Sequence, residues 1–107
     1  MAIGHLHDRQ IMYRNLKPSN IFLSNDHLPY LSLTDFDLAS VMKPGQTGKT
    51  FENAVHHEAN YIAPELYMGD PYDYQTDWWG VGVFCFHLIF GRLPFEHTDP
   101  YELERII

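Results

Sequence analysis

Within Tyr13-Arg14-Asn15-Leu16-Lys17-Pro18-Ser19-Asn20 the chain places an amide at 15, an ammonium at 17 and a second amide at 20, and a carboxylate follows at Asp35. Each type sets limits on the chemistry. A carboxylate takes up a proton near neutral pH; the neutral amide of Asn15 cannot, although its oxygen still accepts a hydrogen bond. Asn20 and Asp35 carry hard oxygen donors, the kind that Mg²⁺ prefers. Lys17 brings a cation, which taken alone reads equally well as a solvated surface lysine.

Several short elements must hold these groups. Met1 to His7 reads as the end of a helix, and Ile11 to Tyr13 and Ile21 to Leu23 are β-prone runs on either side of the octapeptide. Asn25-Asp26 supplies a turn. Tyr30-Leu31-Ser32-Leu33-Thr34 alternates and predicts a strand that delivers Asp35. Residues 38–60 are rich in Gly, Thr, Lys, Asn and His without a clear period, which predicts a mobile, functional loop. Asp77 opens a helix that is apolar on nearly every side, the pattern of a helix buried all round. Asp99-Pro100 offers an N-cap and a first-turn proline for a last helix, Tyr101 to Ile107. No internal repeat, linker or low-complexity tract interrupts the chain.

The octapeptide resembles the catalytic loop of a protein kinase, with Asn15 where that loop has the aspartate that accepts the substrate hydroxyl proton. Further motifs follow in family order. Asp35-Phe36-Asp37 resembles the Asp-Phe-Gly element, and Tyr61-Ile62-Ala63-Pro64-Glu65 resembles the end of the activation segment. Asp77-Trp78-Trp79-Gly80-Val81-Gly82 resembles the start of the central helix of the lower lobe, and Gly91-Arg92-Leu93-Pro94-Phe95 the loop after it. Tyr13 in place of histidine, with the Asp-Trp-Trp triplet, is most similar to the serine/threonine kinases of the cyclic-nucleotide-dependent, ribosomal S6 and C-type group. The resemblance implies one partial kinase domain over 1–107: an α+β fold, mainly helical, with a few short strands. Neither a Gly-x-Gly-x-x-Gly loop nor a Val-Ala-x-Lys strand occurs, so the upper lobe is expected to be absent.

The same resemblance assigns roles and marks departures. Asn20 and Asp35 would hold Mg²⁺, Lys17 would sit by the transferred phosphate of ATP, and Asn15 stands degenerate at the proton-acceptor position. A positioned acid or base is worth roughly 10²–10⁴-fold, or about 3–5 kcal/mol of barrier. Asp37 replaces a glycine whose backbone freedom the turn uses; aspartate tolerates the left-handed region better than most residues. The phosphorylated threonine of the activation segment falls at Ala54, which leaves Arg14 without that phosphate; Glu52 or Glu58 could stand in. The threonine that bonds the catalytic aspartate and lysine falls at Glu58. Asp77 would accept N–H bonds from the catalytic-loop backbone, or serve as an ordinary N-cap. Glu65 would look for an arginine beyond residue 107.

Composition narrows the rest. A net charge of −7 disfavours nucleic acid or an anionic membrane as partner. A single cysteine, Cys85, forms no internal disulfide and fits a reduced, intracellular setting such as the cytoplasm. No secretory signal is visible at Met1 to Leu6. The apolar run Trp78 to Phe90 is shorter than the roughly 20 residues that span a bilayer. Lys43 to Thr50 imitates a phosphate loop but has lysine where the first glycine is required. His56-His57-Glu58 lacks the spacing of metal ligands, and His5 and His7 carry no signal. The expectation is a kinase-like segment impaired in catalysis, with a protein substrate or partner kinase. The alternatives are a pseudokinase binding module and a truncated product without activity.

Overall fold

A computed structural model describes residues 1–25, 27–43, 45–48 and 58–107, which build four helices and four short strands. The first helix, α1 (Ala2–His7), turns one residue inward: Ile3 is buried against Tyr13 and Leu16, with Leu6 beside them. Strand β1 (Ile11–Met12) leads into the octapeptide, which closes in a 3₁₀ turn at Pro18–Asn20. Proline suits the start of that turn because its missing N–H has no partner to lose there.

Two antiparallel pairs frame the loop. β2 (Ile21–Leu23) pairs with β3 (Leu31–Leu33) in the register Ile21↔Leu33, Phe22↔Ser32, Leu23↔Leu31. The pairing continues as Thr34 N–H donates to Asn20 O at 3.0 Å, which brings Asp35 next to the octapeptide. β1 pairs with β4 (Ser40–Val41), Ile11 opposite Val41. This corrects the reading of 38–60 as one loop. Ser40-Val41 has one β-branched residue beside a serine, without the β-prone run that marks β1 at Ile11 to Tyr13, so β4 is invisible in the sequence. A 3₁₀ turn at Ala59–Tyr61 and a backbone bridge between Gly48 and Tyr72 add further order. Residues 49–57 of that loop and Asp26 of the expected turn lie outside the described residues.

α2 (Pro64–Met68) begins with proline and ends at Gly69, whose φ of 69° is the left-handed conformation that glycine adopts without cost. α3 (Gln75–Phe90) starts two residues before Asp77, with Asp73 Oδ1 accepting from Gln75 N–H at 2.8 Å. The sequence reading of α3 as buried on every side is corrected too. Its buried positions, Thr76, Asp77, Gly80 and Val83, form one stripe, while Trp78, Leu88, Ile89 and Phe90 are exposed. An apolar helix is buried only where other residues reach it, and the described residues reach one side. The same side is extended by Tyr61 Oη at 3.0 Å from His87 Nδ1 and by Trp79 stacked on Phe95. α4 (Pro100–Ile106) has the expected cap: Asp99 Oδ1 accepts from Tyr101 N–H at 2.8 Å.

The core is two clusters on either side of the octapeptide. Ile3, Tyr13 and Leu16 pack with Ile21, Leu33 and Val81; Met12, Met42 and Tyr72 pack with Leu66 and Tyr74. Tyr13 and Met12 are wholly inaccessible. Adjacent residues therefore anchor the loop into opposite clusters. No helix among the described residues is long and apolar enough to cross a membrane.

Candidate active site

Asp77, in the first turn of α3 and 2 % exposed, is the fixed point of the site. Its Oδ2 accepts from Tyr13 N–H at 2.8 Å and its Oδ1 from Arg14 N–H at 2.6 Å. His7 Nε2 lies 2.8 Å from the same Oδ2 and, facing a carboxylate, donates to it. A buried carboxylate is costly unless such donors replace water. Here the donors are the loop's own backbone, so solvation of Asp77 and positioning of the loop are one set of bonds. Asp77 thus accepts the loop N–H bonds that the resemblance implies and does not cap α3, whose N-cap residue is Tyr74. His7, which the sequence left without a signal, is a member of this cluster. Its partner lies seventy positions away, and no local spacing announces such a pair.

Arg14 stands at φ 60°, unusual for a side-chain-bearing residue. Its backbone is held there by Asp77 and its guanidinium by two further bonds: Nε donates to Leu38 O at 2.7 Å and Nη1 to Tyr72 Oη at 2.8 Å. Tyr72 was not singled out by sequence; a tyrosine in a loop has many duties, and only the fold turns this one toward Arg14. Its ring also covers Gly48, where a Cβ would fall 2.1 Å from ring carbon Cζ. Glu52 and Ala54 lie outside the described residues. Glu58 borders a cavity of about 20 Å³ together with Arg14, Asn15, Lys17 and Thr76, room for about one water.

Asn15 is 5 % exposed, and its Nδ2 donates to Asp35 Oδ2 at 3.0 Å, with the Asp35 carbonyl at 3.5 Å. Asn20, 6 % exposed, donates from Nδ2 to Asn15 O at 2.9 Å. Three of the four residues singled out by sequence are therefore joined by hydrogen bonds, and Lys17 sits half-buried at the rim. Asp35 is exposed and takes φ 54°. Aspartate accepts that region better than most side chains, and an observed outlier of this kind points to a functional site. The left-handed position expected at Asp37 falls at Asp35 instead; Asp37 N–H turns back to Asp35 Oδ1 at 3.4 Å.

Tyr13 closes the site from below. Its hydroxyl donates to the carbonyl of Thr34. Burial, reinforced by the charge of Asp35, pushes the phenol up to about 12; Asn20 opposes the shift by hydrogen bonding and Asp77 adds to it. Glu65, expected to need an arginine, accepts from Thr76 Oγ1 at 2.9 Å. Among the described residues no group of three His, Cys, Asp or Glu is arranged to hold a metal; His56 and His57 lie outside them. Of the phosphate-loop look-alike, Gln46 N–H donates to Lys43 O at 3.0 Å and Gly48 pairs with Tyr72. Pro44, Lys49 and Thr50 of the phosphate-loop look-alike are outside the described residues.

Residues 1–107 match the family model of the protein kinase domain. The chain is 38 % identical over 97 residues to Atypical protein kinase C of Drosophila melanogaster, covering 90 % of this chain and 15 % of that protein. It is 41 % identical over 103 residues to Serine/threonine-protein kinase sgk-1 of Caenorhabditis elegans, covering 95 % and 21 %. With Serine/threonine-protein kinase Sgk2 of Rattus norvegicus the identity is 40 % over 99 residues, 92 % of this chain and 25 % of the relative. The chain thus spans a quarter or less of the length of these relatives. With its motifs in family order on this fold, the chain belongs to the protein kinase domain family and is a serine/threonine kinase-like segment of it.

Proposed function

We propose that the chain is a partial serine/threonine kinase domain over 1–107, impaired in phosphoryl transfer and retaining the frame of the lower lobe. The observation that carries this reading is the Asn15 side chain: it stands at the proton-acceptor position and spends a donor on Asp35 Oδ2. An amide there orients a hydroxyl but does not take its proton. The loss is on the order of 10²–10⁴-fold. Glu58, at the position of the supporting threonine, adds a negative charge beside Lys17 in the same small cavity.

The donor chemistry suits ATP–Mg²⁺ in kind. Mg²⁺ takes one or two carboxylates, keeps several waters and shares phosphate oxygens. Asp35 offers the carboxylate; with Nδ2 of Asn20 committed to Asn15, its oxygen is the atom left for a cation. Lys17, half-buried, supplies the cation that would meet phosphate charge. When bound, the ion neutralises charge that develops on the phosphates. In this reading Asn20 and Asp35 are the metal and nucleotide ligands, Lys17 the phosphate contact, and Asn15 a degenerate catalytic position. The setting is intracellular and reducing, in keeping with the single cysteine.

A second reading, a pseudokinase module that binds a protein substrate or partner kinase, is favoured by one observation. The bonds that shape the loop around Asp77 are intact while the proton acceptor is gone. The test is transfer of labelled phosphate from ATP–Mg²⁺ to a degenerate serine/threonine peptide pool. The expected result is no transfer above buffer, together with retained binding of a protein partner if the second reading holds. Efficient turnover by the chain would overturn the first reading.

A further inference from the structure

We propose that Asn15 is a positioning residue for Asp35, its side-chain amide doing for that carboxylate what a bound cation would otherwise do, so that the loop assembles without metal. The inference rests on the reading of Asp35 as the carboxylate of a kinase-like site. Asn15 Nδ2–H, a dipole with its positive end outward, points at Asp35 Oδ2 from 3.0 Å. The amide is almost wholly buried, so its direction is set by the surroundings rather than by solvent. Asn20 Nδ2 donates to Asn15 O at 2.9 Å, and Asp37 N–H reaches Asp35 Oδ1 at 3.4 Å. Every contact made to Asp35 oxygens in this set is a donor. The left-handed residue Asp35, φ 54°, thus has both carboxylate oxygens and its carbonyl within this set of bonds.

With a carboxylate at 15 the same geometry would fail. Two ionised carboxylates accept only, and at this separation they repel. A cation between them, or a turn of Asp35 away from the loop, would be the way out. Asparagine therefore does more than remove a proton acceptor: it makes assembly of the site independent of the ion.

The experiment is thermal melting of the 107-residue chain, Asn15→Asp and Asn15→Asp/Asp35→Asn, each in EDTA and in millimolar Mg²⁺, with ionic strength matched by KCl to remove general screening. The wild-type chain is expected to fold in EDTA and to gain less from Mg²⁺ than Asn15→Asp gains. Asn15→Asp is expected to lose roughly 4–8 °C in EDTA, the shift that 1 kcal/mol produces in a domain of this size, and to regain it in Mg²⁺. The double variant, with the amide donor moved to position 35, is expected to melt in EDTA like the wild type. If Asn15→Asp does not fold in EDTA, recovery by Mg²⁺ or by Asp35→Asn supports the proposal. It is overturned if Asn15→Asp melts like the wild type in EDTA, if Mg²⁺ raises the wild type as much as the variant, or if neither Mg²⁺ nor Asp35→Asn repairs the loss. These readouts involve no phosphoryl transfer. A wild-type chain that proved active would sink the impaired reading and leave this inference standing, and a flat melting series would do the reverse.

Discussion

Asp37 shows how one residue reads differently in sequence and in space. The family pattern puts glycine there, yet the positive φ sits at Asp35, so position 37 makes no demand for glycine. Asp37→Gly should therefore relieve no strain and should cost about 0.5–1 kcal/mol in backbone entropy; a urea titration that found the variant more stable would contradict this. Asp77 is the opposite case. Asp77→Ala strands the buried Tyr13 N–H, the part-buried Arg14 N–H and His7, and removal of one side of such a cluster costs on the order of 3–5 kcal/mol. Set against a typical total of about 5–15 kcal/mol, the expected result is a chain largely unfolded by circular dichroism at 37 °C. Tyr13 gives a pH dependence. Its folded pKa is raised from 10.0 to about 12, so the folded state holds the phenol proton more tightly than the unfolded one. That contribution is complete below pH 10 and is lost as pH rises through about 12. The difference is worth about 3 kcal/mol, and Tyr13→Phe should flatten the fall in stability measured over that range, leaving the smaller effects of Tyr61 and Tyr67. Of these residues, Asn15, Asn20, Asp35 and Asp77 were legible because they sit in contiguous motifs. His7 and Tyr72 were not, because their bonds to Asp77 and Arg14 depend on which segments the fold brings together.

At the scale of elements, legibility followed length and local signal. β2 lies where its β-prone run predicted, and α4 begins at the Asp99-Pro100 cap because that signal is carried by two adjacent residues. β4 was missed because Ser40-Val41 lacks a β-prone run, and α2, five residues long, because it is too short to show a period. α3 was found but its surroundings were not: a uniformly apolar pattern states that a helix can be buried on any side, not which sides are covered. The consequence is measurable by comparing two leucine-like positions. Ile3, 3 % exposed in the cluster under α1, should cost about 2–5 kcal/mol when changed to alanine. Leu88, 67 % exposed on α3, should change stability by no more than about 0.5 kcal/mol as Leu88→Gln. Equal losses in a paired denaturant series would mean that the outer face of α3 is covered after all.

The whole molecule combines a net charge of −7 with exposed apolar side chains on α3, Trp78 near its start and Leu88, Ile89 and Phe90 at its end. Each large side chain left in water forgoes roughly 1.5–3 kcal/mol, and contiguous apolar surface invites association. The 107-residue chain on its own should therefore sediment as more than a monomer or melt broadly; a clean monomer with a sharp, high melt would show that its two core clusters suffice. The bonds around Asp77 tie α1, the octapeptide and α3 into one frame. Asn15 is one altered part among several, with Glu58 beside it, and groups that act as a unit are not additive. The direct measurement is single-turnover phosphoryl transfer from ATP–Mg²⁺ to a serine/threonine peptide by the wild-type chain and Asn15→Asp side by side. The account predicts no transfer above buffer from either, because restoring the carboxylate repairs only one part. Phosphorylated peptide formed by the wild type, or by the single variant, would contradict it.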